Sequence, residues 1–194
     1  MKMLLHTCCA PCTIHPLEKV REEGIDVTGY YYNPNIHPYT EWARRKETLE
    51  EYAGKKEFKL IIDDEYQLEE FLRAVVHREA VRCAHCYAMR LRRAAAVAVR
   101  GKFDCFSTTL LVSPFQKHDL IREIGEAIGK EKGISFYYAD FRSGYKDATA
   151  RSRELGMYRQ QYCGCIYSEK ERYYKGKQGG KREKNHSLAS DVVL

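Results

Sequence analysis

The chain has 194 residues, of which 44% are hydrophobic and 31% charged, and its formal net charge is +6 at pH 7. This length and composition suit a globular protein with a substantial core, and no apolar run reaches the roughly 18–20 residues of a membrane-spanning helix. Because the N-terminal apolar segment is also too short for a signal peptide, we expect a cytoplasmic protein without a membrane partner.

Short strand-like runs alternate with helical patterns along the chain. Strands are predicted at residues 2–6, 26–32, 58–62, 104–111 and 134–139. Helices are predicted at residues 14–24, 40–54, 67–76, 84–99, around 120–128 and around 148–155. This alternation predicts a single α/β domain with a mostly parallel, Rossmann-like sheet and helices on both faces.

Polar or cysteine-rich segments follow each predicted strand. TCCAPC follows the first strand, and NPNIHP, DDE, STTLLVSP and DFRSG follow the other four in order. Parallel sheets bind their ligands beyond the C-terminal ends of the strands. We therefore expect a metal site at the C-terminal edge of the sheet.

Seven of the eight cysteines fall into three groups. The groups are C-C-x-x-C (Cys8, Cys9, Cys12), C-x-x-C (Cys83, Cys86) and C-x-C (Cys163, Cys165). The first two groups supply enough thiolates for a structural zinc or a 4Fe–4S cluster. Cys105 lies alone in the fourth strand and is expected to be a small buried hydrophobic side chain.

A structural zinc site is the commoner meaning of two such groups, and it would make the chain a zinc-stabilised, non-catalytic RNA-binding protein. Three features favour a redox-active iron–sulfur centre. Zinc needs four ligands, whereas seven candidates are present. A chain with a full α/β core does not need a zinc staple. The first group also follows a strand, where a parallel sheet places its active site.

The pair formed by Cys163 and Cys165 has two possible roles. A disulfide across one intervening residue closes a small, strained ring that is readily reduced, as in catalytic pairs. The two thiols are equally suited to ligate a second metal beside a cluster. The spacing does not separate these roles.

Six motifs carry a resemblance to a known family. In chain order they are LLHTCCAPC, YYNPNIHPYTEW, RCAHCYAMRL, FSTTLLVSPFQKHDLI, YADFRSGY and QYCGCIYS. Together they resemble the QueH-type epoxyqueuosine reductases. The resemblance implies a cobalamin-independent iron–sulfur oxidoreductase that removes the epoxide oxygen of epoxyqueuosine at the wobble position of tRNA. It implies a catalytic domain over residues 1–169 and leaves residues 170–194 as a basic tail, which we expect to be mobile.

The resemblance also implies how the thiols are divided. The implied sets are Cys8, Cys9, Cys83 and Cys86 for the 4Fe–4S cluster, and Cys12, Cys163 and Cys165 for a second redox centre or a mononuclear iron. Spacing alone would pair Cys9 with Cys12, so the choice between Cys8 and Cys12 stays open. No motif for cobalamin, flavin or NAD is recognised, and electrons are expected from an unidentified ferredoxin- or flavodoxin-like donor.

Other candidate site residues follow the second and fifth strands. Asp140 joins Cys163 and Cys165 as a catalytic candidate, either as a proton donor or as a metal ligand. An ion pair with Arg142 would explain Asp140 equally well. The candidate substrate contacts are Asn33, Asn35, His37 and Arg142, although Asn-Pro-Asn is also typical of a plain turn.

Positive charge is concentrated in two places. Residues 170–184 contain seven Lys/Arg and two Glu, and residues 82–100 contain five Arg and no acidic residue. Focused positive charge suits the phosphates of tRNA, with Arg90 and Arg93 as candidate contacts. A solvated tail and a soluble helix face would give the same pattern.

Overall fold

The computed structural model describes residues 1–175, and the structural statements that follow concern that range. Its strands are β1 (Lys2–His6), β2 (Asp26–Tyr31), β3 (Lys59–Ile62), β4 (Cys105–Thr108) and β5 (Ser135–Phe136). Its helices are α1 (Ala10–Glu22), α2 (Tyr39–Lys55), α3 (Leu68–Val75), α4 (Arg82–Arg100), α5 (His118–Lys132), α6 (Tyr145–Glu154) and α7 (Ile166–Tyr173). The strands form one sheet in the order β3-β2-β1-β4-β5, and every pairing is parallel.

The central strand β1 is covered on both faces. Its side chains alternate between the two faces of the sheet, yet residues 3–6 all have no exposed surface. Helix α1 packs against α2 and α6, whereas α4 packs against α3 and α5. Right-handed crossovers on the two sides of β1 place these two groups of helices on opposite faces. The prediction of an α/β domain with a parallel sheet is confirmed.

The strand order creates a switch point beside β1. The chain leaves β1 toward β2, and β4 pairs with the other side of β1, in the register Met3 to Cys105 and His6 to Thr108. The connections that follow β1 and β4 therefore diverge and leave a crevice beyond their C-terminal ends. Cys8 and Thr109 lie at this crevice.

Two strands are shorter than predicted. The Thr108 hydroxyl accepts a hydrogen bond from the Leu110 N–H at 3.2 Å, and this cap starts a 3-10 turn at Thr109–Val112 where the sequence predicted more strand. In β5, the Tyr137 carbonyl is taken by the Ser107 hydroxyl at 2.7 Å and not by a backbone N–H. The predicted ranges of both strands extend too far because apolar residues continue in the sequence after the last backbone hydrogen bond to the neighbouring strand.

Helices α1 and α4 are among those that begin earlier than predicted, and their earlier starts matter for the site. Cys9 is the extended N-cap of α1, and a proline in the first turn suits a helix start, so Cys12 lies in that turn. Helix α4 begins at Arg82, which brings Cys83 and Cys86 onto consecutive turns at its N-terminal end. Helix α7 was not predicted.

The predicted boundary between residues 169 and 170 falls inside α7. The rest of the predicted tail, residues 176–194, lies outside the described residues, so the two-part division stays a prediction. No helix within residues 1–175 combines the length and apolarity needed to cross a bilayer.

Candidate metal centre

A cavity of about 350 Å³ opens at the C-terminal edge of the sheet. Its walls include six of the seven grouped cysteines: Cys8, Cys12, Cys83, Cys86, Cys163 and Cys165. The first pair comes from the start of α1, the second from the start of α4 and the third from the segment before α7. Three motifs that are distant in sequence therefore meet at one place, where the sequence predicted a metal site.

The first group is the tightest. The sulfur atoms of Cys8, Cys9 and Cys12 lie within 4.8 Å of one another, a spacing that suits a shared metal. Cys9 is 1% exposed and is not part of the cavity wall, whereas Cys12 is. Because Cys9 caps α1 and Cys12 follows after three residues, one helical turn brings their side chains to the same side.

Two polar side chains donate hydrogen bonds to these sulfurs. The Thr109 hydroxyl donates to Cys8 Sγ at 3.4 Å and accepts from the Cys8 N–H at 3.1 Å. Gln160 Nε2 donates to Cys9 Sγ at 3.0 Å and to Cys12 Sγ at 3.8 Å. Such donors stabilise sulfur that carries negative charge.

The three thiols of the first group share their protons. Hydrogen bonds from Cys12 and Cys9 hold the pKa of Cys8 well below its usual value. The pKa of Cys9 is raised by burial, and that of Cys12 is raised by its hydrogen bond to Cys8. Of the three thiols, Cys8 is therefore the most readily ionised.

The second group lies beside a buried arginine. Arg90 is 4% exposed, and its Nη2 donates to Cys86 Sγ at 3.1 Å while its Nε donates to the Cys86 carbonyl at 3.2 Å. Within residues 1–175, the Arg90 guanidinium hydrogen-bonds to Cys86 and lies over the ring of Tyr87, and it forms no ion pair with a carboxylate. Burial raises the pKa of Cys86 to about 11, and Arg90 opposes that rise.

The third group is positioned by a second buried arginine. Arg45, 1% exposed, donates from Nη1 to the Cys163 carbonyl at 3.1 Å and from Nη2 to the Tyr162 carbonyl at 3.0 Å. Its charge is balanced by Glu41, with 2.6 Å between Nη2 and Oε1. A residue of α2 thus fixes the backbone that carries Cys163.

The segment after β2 supports the same backbone. The His37 N–H donates to the Gly164 carbonyl at 2.8 Å, and the Tyr162 hydroxyl donates to the His37 carbonyl. Gly164 has a φ of +122°, and an added Cβ would lie 2.9 Å from Ile36 Cγ1. This position therefore requires glycine.

Cys163 and Cys165 differ in their surroundings. Cys163 is exposed, whereas Cys165 is buried and caps α7 by accepting from the Ser168 N–H at 3.4 Å. A hydrogen bond from Cys165 lowers the pKa of Cys163 to about 5, and the same contact raises the pKa of Cys165. Cys163 is therefore a thiolate at neutral pH.

Asp140 and Arg142 lie outside the residues that line the cavity. They form an ion pair with 2.5 Å between Asp140 Oδ2 and Arg142 Nη2. Hydrogen bonds from Arg142 lower the pKa of Asp140 to about 2. The roles predicted for Asp140 in proton transfer or metal binding, and for Arg142 in substrate binding, stay predictions.

Asn33, Asn35 and His37 are all buried and do not line the cavity. Asn33 Nδ2 donates to the Thr7 carbonyl at 2.9 Å, which ties the segment after β2 to the segment after β1. Their predicted substrate contacts stay predictions.

The two predicted phosphate contacts lie in different places. Arg90 lines the cavity, whereas Arg93 is half-exposed and pairs with Asp63, with 2.9 Å between Arg93 Nη2 and Asp63 Oδ2. The assignment of both residues to tRNA phosphates stays a prediction.

Three residues that contact the thiols or the backbone carrying them were not candidates from the sequence: Arg45, Thr109 and Gln160. Arg45 lies in the charged run ARRKE, where nothing marks the buried arginine. Thr109 lies inside the motif FSTTLLVSPFQKHDLI, and Gln160 directly precedes the motif QYCGCIYS. Their place in or beside a motif was the only signal in the sequence. It does not reveal their contacts to sulfur, because Thr109 and Gln160 lie about 100 and 150 positions away from the cysteines they contact.

The chain is thus an α/β protein with a cysteine-lined site at the C-terminal edge of a parallel sheet. A solved structure with a similar fold is described as the crystal structure of a predicted subunit of tRNA methyltransferase from Methanocaldococcus jannaschii. It matches with a TM-score of 0.52 and 12% identity, covering 79% of this chain and 76% of that one. At this identity the likeness shows the fold alone.

The family model described as Epoxyqueuosine reductase QueH matches residues 3–171. A relative of that name from Dehalococcoides mccartyi is 42% identical over 174 residues, 90% of this chain and 96% of the relative. Another, from Thermotoga maritima, is 36% identical over 181 residues, 88% of this chain and 91% of the relative. The chain therefore belongs to the QueH family, and the resemblance predicted from the motifs is confirmed. The relatives are named as reductases, which are oxidoreductases.

Proposed function

We propose that this chain reduces epoxyqueuosine to queuosine at the wobble position of tRNA. The observation that carries the proposal is the convergence of six cysteines on one cavity in a member of this family. The reaction releases the epoxide oxygen as water and consumes two electrons and two protons. A wall of thiols is suited to deliver electrons to a substrate held in the cavity.

The donor set fits a thiolate-bound iron–sulfur cluster. Three sulfurs lie within 4.8 Å of one another at the start of α1, and two more line the same cavity from α4. Cysteine thiolates are the usual ligands of such clusters. When bound, a 4Fe–4S cluster supplies electrons one at a time, without cobalamin.

We assign the thiols as the family resemblance implies. The cluster ligands are Cys8, Cys9, Cys83 and Cys86, and Cys12, Cys163 and Cys165 form a second redox or mononuclear iron centre. Cys12 is the alternative to Cys8 as a cluster ligand, and both of these residues line the cavity.

Hydrogen-bond donors around the thiols oppose the effect of burial and so favour the ionised forms. Arg90 donates to Cys86, Gln160 to Cys9 and Thr109 to Cys8. Because Arg90 has no carboxylate among its described contacts, its charge balances the negative charge of the thiolates. Ionised thiolates are the form that binds iron.

Cys163 and Cys165 are suited to hold an electron pair. Oxidation of the pair to a disulfide supplies the two electrons that the reaction consumes; because Cys163 is already a thiolate, the pair releases one proton, from Cys165, and solvent supplies the second. The exposure of Cys163 leaves its sulfur accessible to a ferredoxin- or flavodoxin-like donor. We place the reaction in the cytoplasm, where such thiols are kept reduced.

The test is to purify the full chain without oxygen, measure iron, sulfide and zinc, and supply epoxyqueuosine-containing tRNA with dithionite. We expect a brown protein with about four irons or more per chain, and queuosine detected by mass spectrometry of the digested tRNA. Stoichiometric zinc without iron or sulfide would contradict the proposal and favour the zinc-stabilised RNA-binding protein.

A further inference from the structure

The segment at residues 113–117 forms part of the cavity wall and carries an exposed aromatic ring. Ser113, Phe115, Gln116 and Lys117 all line the cavity, and the Phe115 side chain is 40% exposed. Several other large apolar side chains are at least as exposed, so it is the place of this ring at the cavity, and not its exposure alone, that makes it a candidate ligand contact. None of these residues was a candidate from the sequence.

The segment is held rigidly. The Phe115 N–H donates to Ser113 Oγ at 3.3 Å, and the Gln116 N–H donates to the Ser113 carbonyl at 3.2 Å. The buried Tyr87 hydroxyl donates to Gln116 Oε1 at 2.7 Å and accepts from the Lys117 N–H at 3.3 Å. These bonds fix the backbone, and the Phe115 ring packs edge-to-face against Tyr145 with 5.8 Å between the ring centroids. The ring is therefore held in place before any ligand arrives, which lowers the entropic cost of stacking on it.

The charges around Phe115 suit a nucleic acid strand. Lys117 is exposed, and no ion pair of its side chain is recorded within residues 1–175. Arg82 also lines the cavity, but Glu171 already neutralises it, with 2.6 Å between Nη2 and Oε1. The mouth of the cavity thus offers the Phe115 ring and, two residues away, the unpaired ammonium of Lys117. Proteins that bind single-stranded nucleic acids use this combination to stack a base and to contact a phosphate.

The size of the cavity explains why such a platform is needed. A space of about 350 Å³ is at the small end of ligand pockets, and with a cluster bound among its thiols it has room for no more than one extruded nucleoside. The nucleotides on either side of that nucleoside must then lie outside, at the mouth. We infer that Phe115 stacks on a nucleotide that flanks the modified wobble base and that Lys117 contacts its phosphate; this rests on the proposed function.

The test uses the anaerobically purified full chain and an anticodon stem–loop RNA with 2-aminopurine at each flanking position in turn. Stacking quenches 2-aminopurine fluorescence, so we expect one flanking position to be quenched on binding. In Phe115→Leu the quenching should disappear and affinity should fall about fivefold or more, since each base–aromatic stack contributes roughly 1–3 kcal/mol. Phe115→Trp should keep both.

Two further variants complete the test. Lys117→Gln should lower the slope of log affinity against log salt by about one unit. Tyr39→Leu removes a ring that is 57% exposed but outside the cavity wall, and it should change neither signal. Unaltered affinity and unaltered quenching in Phe115→Leu would overturn this inference alone. Failure of the unaltered chain to bind the RNA would overturn the proposed function together with it.

Discussion

The thiols of the cavity are held in two different ways. Cys8, Cys12, Cys83 and Cys86 stand at the N-terminal ends of α1 and α4, where the strand order alone brings them to the edge of the sheet. Cys163 and Cys165 follow an irregular segment, and their backbone is fixed by side chains, chiefly Arg45.

The two buried arginines show the same contrast. Arg45 is paired with Glu41 and binds backbone carbonyls, so its contribution is to hold the chain. Arg90 donates to a sulfur and has no carboxylate among its described contacts, so its charge is directed at the thiolates. The helix-borne thiols (Cys8, Cys12, Cys83 and Cys86) are suited to bind metal. The loop-borne thiols (Cys163 and Cys165) occupy a position that depends on several contacts from distant parts of the chain, chiefly those of Arg45.

The largest expected effect is on the helix-borne side. Cys86→Ser should abolish both metal binding and turnover, because a serine hydroxyl is a poor substitute for a thiolate ligand of iron. Iron and sulfide analysis of anaerobically purified protein measures this. Cys105→Ala is the control, since Cys105 is more deeply buried than Cys86 but lies outside the cavity wall, and this variant should keep its iron. Full iron content in Cys86→Ser would show that Cys86 is not a ligand.

On the loop-borne side the expected loss is confined to turnover. Cys163→Ser should leave the 4Fe–4S absorption largely intact while queuosine formation stops, because we propose that this thiol belongs to the second centre. Visible absorption and the tRNA assay, run on the same preparation, separate the two effects. Collapse of the cluster spectrum in this variant would contradict the division of the thiols and assign Cys163 to the cluster.

The ion pair that holds the loop should be measurable as stability. Arg45→Met leaves Glu41 buried without its cation, and breaking one partner of such a pair costs about 3–5 kcal/mol. Urea denaturation of the variant gives this difference. Arg44→Met, the neighbouring exposed residue of α2, should cost less than about 1 kcal/mol. Equal costs for the two variants would mean that the ion pair does not hold the segment.

Sequence analysis was most successful where local pattern decides the structure. The alternation of strands and helices gave the parallel sheet, and the rule for the C-terminal edge located Cys8 and Cys12. Arg45 and Gln160 were missed, because their burial depends on contacts to Cys163 and Cys9, which are distant in the chain. Asn33 and His37 are buried groups that tie segments together, a role indistinguishable in sequence from a polar turn that binds substrate.

The smallest expected effect concerns His6, which lies at the end of β1 beneath the helix-borne thiols. Burial and the charge of Arg90 lower the pKa of His6 to about 4. In the folded protein the His6 imidazole therefore stays neutral at a pH where the same imidazole takes up a proton in the unfolded chain. Stability should therefore fall as the pH drops below about 6.5, by about 2 kcal/mol from this group between pH 7 and pH 5. Carboxylates contribute little in this window, because their unfolded pKa values lie below it. Urea denaturation at both pH values, compared with His6→Gln, isolates the share of His6. An equal loss of stability in the variant would show that His6 is not the group responsible.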